Sequence, residues 1–95
     1  MHIGVCIIRF QVFESASLKD KRKVVRSVKD RTRQRYNVAI AEVDYLDDRR
    51  TAELGVSCVS NDSGHVDSML TKVVDYIEGS FPIVVLNVER ELWTM

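Results

Sequence analysis

The chain has 95 residues, 45% of them hydrophobic and 29% charged, with 14 basic and 14 acidic side chains, four glycines and one proline. That composition describes one small globular domain over residues 1–95 and excludes a disordered tail. A domain this short buries only about two-thirds of its unfolded surface, so a cavity for a large substrate and a cofactor would consume core, whereas a dimer would relieve the shortage.

From Ile3 to Phe13 most positions are β-branched or aromatic, and Glu14-Ser15-Ala16 interrupts the pattern, which predicts a first strand. Cys6, Ile8, Phe10 and Val12 share its charge-free face and are the better core set; Val5, Ile7, Arg9, Gln11 and Phe13 share the other. Ser17 with Asp20 resembles a capping box, and from Leu18 the apolar spacing changes to three or four, so a helix begins there. Leu18, Val24, Val25, Val28 and Thr32 fall within an arc of about 120°, and Asn37 is the expected left-handed exit residue. Strands are predicted over 36–45 and 51–60, joined by the short polar segment Leu46-Asp47-Asp48-Arg49-Arg50 as an antiparallel hairpin. Asn61-Asp62-Ser63-Gly64 precedes a second helical pattern of Val66, Met69 or Leu70, Val73 and Ile77, with Ser63 the expected N-cap and Gly79 the expected end. Phe81-Pro82 opens a last strand through Glu89. The order β-α-β-β-α-β is that of an α+β, ferredoxin-like fold, with two helices on one face of a four-stranded antiparallel sheet and the other face open.

Charge is unevenly distributed although the net charge is zero. Between Ser17 and Arg35 nine basic residues stand against Asp20 and Asp30, a local balance of +7, and the remainder of the chain carries −7. On a helical wheel Lys19, Arg22, Arg26, Lys29 and Arg33 fall within about 80° of one another beside the apolar arc. Charge runs are most often solvated faces that aid solubility. This one sets cation against cation at i,i+4, as in Arg22/Arg26 and Lys29/Arg33, a small destabilisation that solubility does not require. Clustered Lys and Arg on one element form the electrostatic footprint of nucleic-acid binding, and the acidic remainder favours a local contact with folded RNA or a ribosomal particle over general adhesion to DNA.

Catalytic readings fare worse. His2 and His65 share no ligand spacing with Cys6 or Cys58, so no metal site is expected, and the two cysteines are expected to be buried free thiols. Glu42, Asp44, Asp47 and Asp48 lack the pattern of a calcium loop, with Arg49 and Arg50 expected to neutralise them. The connection Phe13-Glu14-Ser15-Ala16-Ser17 has no glycine and carries an acid, unlike the phosphate nest of an acylphosphatase. The third strand has no aromatic on either face, which argues against base stacking on the sheet. Hydrophobes on both sides of the first two strands leave an apolar patch, and Val5 and Ile7 are the expected interface of a homodimer, with Arg9 needing a carboxylate partner there. No run approaches the roughly 20 apolar residues of a membrane span, and no signal-peptide pattern opens the chain, so a cytoplasmic protein without membrane contact is expected.

The segments Ser17-Leu18-Lys19-Asp20-Lys21-Arg22, Asn37-Val38-Ala39-Ile40-Ala41-Glu42-Val43-Asp44 and Ala52-Glu53-Leu54-Gly55-Val56, the last strand running on to Ser60-Asn61-Asp62, resemble the YlxP-like bacterial family across nearly the whole chain. The resemblance implies a small ferredoxin-like protein of a family whose members are often encoded among genes for translation initiation and ribosome maturation, with no established activity and no catalytic residues to carry over. The function expected from these readings is a non-enzymatic RNA- or ribosome-associated binding protein that uses the basic helix and needs no cofactor or small-molecule substrate. The alternative is a homodimeric protein-interaction module that meets an acidic protein partner and no nucleic acid.

Overall fold

The computed structural model describes residues 1–95. Its elements are β1 (His2–Val12), α1 (Leu18–Arg35), β2 (Ala39–Asp44), β3 (Thr51–Ser60), α2 (Ser63–Ser80) and β4 (Ile83–Thr94). The four strands form one sheet in the order β2-β3-β1-β4, every neighbouring pair antiparallel. This is the ferredoxin-like βαββαβ arrangement, with both helices on one side of the sheet.

The core lies between that side and the helices. Cys6, Ile8, Phe10 and Val12 of β1 are buried against Leu54 and Val56 of β3, Val25 and Val28 of α1, and Val66, Leu70, Val73 and Ile77 of α2. The alternation along β1 sorts its side chains: from Gly4 to Val12 the even positions pack inward, and the odd ones stay half-buried on the open face. Gly4 sits where α2 crosses β1, and a Cβ there would run into Val66 and Leu70, so this position admits no larger residue without moving the helix. The helix starts are held by side chains. Ser17 accepts the Asp20 N–H, and Asp62 accepts the N–H groups of Gly64 and His65, so the cap of α2 is Asp62 and Ser63 is its first helical residue.

Other expectations shift as well. The C-cap of α1 is Tyr36 in extended conformation, its N–H bonded to the Thr32 carbonyl, and neither Asn37 nor any residue beside it has positive φ. The Tyr36 and Val38 N–H groups are both taken by local carbonyls, those of Thr32 and Tyr36, and β2 begins at Ala39. Gly79 does not end α2, which continues to Ser80 because its last turn packs Ile77 inward and nothing at Gly79 requires a left-handed residue. The largest difference is at β4. It does not stop at Glu89 but runs to Thr94, pairing Glu91, Trp93 and Thr94 with Val5, Ile3 and His2. The mixed polarity of 89–94 hid this strand, because an edge strand exposes most of its side chains and β1 alone supplies its ladder.

No helix of the molecule is long and apolar enough to cross a membrane.

Candidate functional site

The nine cations of α1 do not act as one surface. Lys21 is fully buried, within the arc that packs on the sheet. Its stem lies in the core, and its Nζ donates to the Tyr45 carbonyl at 2.6 Å and reaches Glu42 Oε2 at 3.2 Å. Tyr45 has φ 61°, a left-handed turn that ends β2 with its carbonyl facing the ammonium. By residue type Lys21 belongs to the basic run of α1. Its position within the apolar arc, between Leu18 and Val25, was the signal that marked it as inward-facing.

This pair also revises the hairpin. Arg49 and Arg50 make no ion pair with its acids, and Arg49 adds only a minor charge effect on Asp48. Glu42 is answered by Lys21 and Asp47 by Arg22 at 3.9 Å, while Asp44 accepts the Tyr45 N–H and Asp48 those of Arg50 and Thr51. The two N–H donors to Asp48, Thr51 first, hold its carboxyl below the usual carboxylate range. Two of the four acids are thus paired with cations of α1 and two hold the turn, and no group of three or more His, Cys, Asp or Glu that could hold a metal occurs in the molecule.

Of the stripe residues, Lys19, Arg22, Arg26 and Arg33 are exposed and Lys29 is half-buried. Lys19, Arg22 and Arg26 converge with Lys23, which the wheel had left outside the stripe, around a shallow cleft of about 240 Å³ lined by these four cations and nothing else. Lys19, Lys23 and Arg26 make no ion pair, and Arg22 keeps only the long contact to exposed Asp47. Arg33 is tied to Asp30 at 3.2 Å, one turn away on the same helix. The N-terminal half of the stripe is thus a cluster of largely unpaired cations, and its C-terminal half is partly satisfied.

The open face of the sheet can be read from the registers. One row across β3, β1 and β4 is Val59, Ile3 and Trp93; the next is Ser57, Val5 and Glu91; the third is Gly55, Ile7 and Glu89. On the β2 side Ala39 stands beside Ser57 and Ala41 beside Gly55. Val5 and Ile7 thus form one wall of a cleft of about 340 Å³ whose floor is made by Ala39, Ala41, Gly55 and Ser57. Gly55 has a specific reason to be glycine, since Val43 Cγ1 would lie 3.0 Å from a Cβ there after the β2 bulge has turned Val43 over it. Arg9 finds its carboxylate within its own chain: Glu53 on β3 accepts its Nε at 3.2 Å and lies 3.1 Å from Nη2. A partner molecule is not needed to balance it.

Several other chemistry-bearing groups are buried or have partners within the chain. Cys6 and Cys58 are buried free thiols, and burial pushes both above the ordinary thiol value, away from reactive thiolate character. His2 Nδ1 lies 3.0 Å from Thr94 Oγ1 across the β1–β4 ladder, and Arg90 donates to Asp67 and Thr71 of α2. Ser15 closes the loop after β1 by donating to the carbonyls of Arg49 and Ser17.

The comparisons with known proteins agree with this architecture. A de novo designed protein with ferredoxin fold, LFR1 1, solved by solution NMR, superposes with a TM-score of 0.54 at 16% identity, covering 100% of this chain and 87% of the other, a likeness of fold alone. The uncharacterized protein YlxP of Bacillus subtilis (strain 168) is 29% identical over 91 residues, 96% of this chain and 98% of the relative. Residues 3–90 match the family described as Protein of unknown function (DUF503), and the chain belongs to that family.

Proposed function

We propose that the protein is a non-catalytic binding protein that grips the phosphates of RNA, free or in a ribosomal particle, through α1. The observation that carries this reading is the cleft of Lys19, Arg22, Lys23 and Arg26, four cations among which the only ion pair is the long one from Arg22 to Asp47. Holding like charges together at i,i+3 and i,i+4 costs stability, and a polyanion that releases its counterions on binding repays that cost. Lys29 and Arg33 extend the same track toward the C-terminal end of the helix. An acidic protein surface is the other polyanion that the cleft would accept.

Filter binding to ribosomal RNA across a salt series tests the proposal. The wild-type protein should bind with a steep salt dependence, and replacing Lys19, Lys23 and Arg26 together by glutamine should flatten the slope of log affinity against log salt by about 2–3, roughly one released counterion per lost contact. Because all three side chains are exposed and unpaired, the thermal midpoint should stay within a few degrees. Unchanged affinity and slope would defeat the reading, and RNA-independent binding to an acidic protein would replace it.

A second reading concerns the sheet and is favoured by the apolar cleft beside Val5 and Ile7. We propose that a second copy of the chain covers the open face. Four strands about 4.8 Å apart and about nine residues of 3.3 Å rise present a face of about 600 Å² per copy, toward the lower end of specific interfaces. The ridge of Ile3, Val59 and Trp93 lies beside the cleft, so a two-fold axis parallel to the face, running across the strands between ridge and cleft, would seat the ridge of each copy in the cleft of the other. Glu89 and Glu91 of the edge strand would lie at the rim, in water. Sedimentation equilibrium at micromolar concentration should return twice the chain mass, and Ile7→Lys should return the monomer. A wild-type monomer, or an Ile7→Lys dimer, would remove this interface.

A further inference from the structure

The sheet offers no aromatic platform on its central strands, but the helix layer does. Tyr36 at the end of α1, Tyr76 of α2 and Phe81 just after it interlock edge to face, with centroids 5.6 Å apart at 67° and 5.7 Å apart at 88°. All three rings are half-buried and packed against the core, which fixes their positions. Two arginines from the last turns of α1 lie over them: Arg31 Cζ is 4.9 Å from the Phe81 centroid, and Arg35 Cζ is 5.0 Å from that of Tyr76 and 5.8 Å from that of Tyr36. Neither arginine has a carboxylate partner, and both are exposed. Asp30, the acid nearest to them in the helix, is taken up by Arg33.

A guanidinium held over a ring presents its other face to water as a flat cation that has already lost much of its rotamer freedom. That surface stacks nucleobases, and it does so for unpaired bases, because a duplex keeps its bases stacked on one another. The arginines occupy the flank of α1 facing α2, across a helix about 10 Å wide from the phosphate stripe, so one strand crossing the helix would touch both. We infer that Arg31 and Arg35, held by Tyr36, Tyr76 and Phe81, form a stacking platform for unpaired nucleobases. The inference rests on the phosphate-binding reading and adds to it that the ligand is single-stranded at this end of α1.

The test is fluorescence anisotropy with a labelled adenosine oligoribonucleotide and a labelled RNA duplex of equal strand length. The probes are applied to the wild type and to the double variant Arg31→Lys/Arg35→Lys, which keeps both charges and removes both planes. The wild type should prefer the single strand. The lysine variant should bind it about tenfold more weakly with the same salt slope and an unchanged affinity for the duplex. Equal single-strand affinity in variant and wild type would overturn the platform while leaving the phosphate reading intact. Parallel loss of both ligands would assign the arginines to folding and overturn it as well. A wild type that binds neither RNA would overturn both readings.

Discussion

Val28→Asp should abolish cooperative folding. Val28 is fully buried at the middle of the α1 face that packs on the sheet. An aspartate there has no cation within the core except Lys21, which is already engaged by Glu42 and the Tyr45 carbonyl. Burying an unpaired carboxylate costs several kcal/mol even after it takes up a proton, and the lost packing of the valine adds to that. A domain of this size has about 5–14 kcal/mol in total, so the penalty approaches or exceeds the whole margin. Circular dichroism on heating should show no sigmoidal transition for the aspartate variant. Val28→Asn, of similar shape without the charge, should melt at an intermediate temperature. A soluble aspartate variant with a wild-type melting curve would refute the packing of α1.

Lys21→Met should be the most damaging exposed-looking change in the charge run. Methionine fills the space of the lysine stem, so the loss comes from what the ammonium did. Its removal leaves Glu42, largely buried, without its cation, and the Tyr45 carbonyl without its donor. Breaking a buried ion pair from one side costs about 3–5 kcal/mol, and the remaining water access at Glu42 places this case toward the lower value. The double variant Lys21→Met/Glu42→Leu should recover part of the loss but not all of it, because the Tyr45 carbonyl still lacks a donor. Urea unfolding of the two variants beside Lys19→Gln, whose side chain is exposed, would separate the roles. Lys19→Gln should be neutral within about 0.5 kcal/mol. Equal stabilities for Lys21→Met and the wild type would show that the buried contact contributes nothing.

These two residues show where reading the chain succeeds and where it stops. Val28 was legible because an apolar residue inside a 3.6-residue repeat has one place to go. Lys21 was not, because its chemical type says surface while its position on the wheel says core, and only the nearby Glu42 and Tyr45 decide between them. The same division holds at the ends of the elements. The order of strands and helices followed from local changes of period, from two to about 3.6 and back, and so did the open sheet face, since two helices can cover only one side. The tail through Trp93 carried no such period, and its pairing with β1 exists because β1 begins at His2 and offers an edge along its whole length.

What the sequence alone determined was the βαββαβ order, the inward face of β1, the basic bias of α1 and the membership of the chain in its family, because each depends on residue type at a fixed spacing. What the tertiary structure decided was the use of each charge. Among nine cations of one helix it buried Lys21, paired Arg33, laid Arg31 and Arg35 over aromatic rings, and left Lys19, Lys23 and Arg26 free. The physical reason is that a charge takes its function from its partners, and partners such as Glu42, Tyr76 and Phe81 lie far along the chain and meet α1 only when the sheet and the second helix are in place.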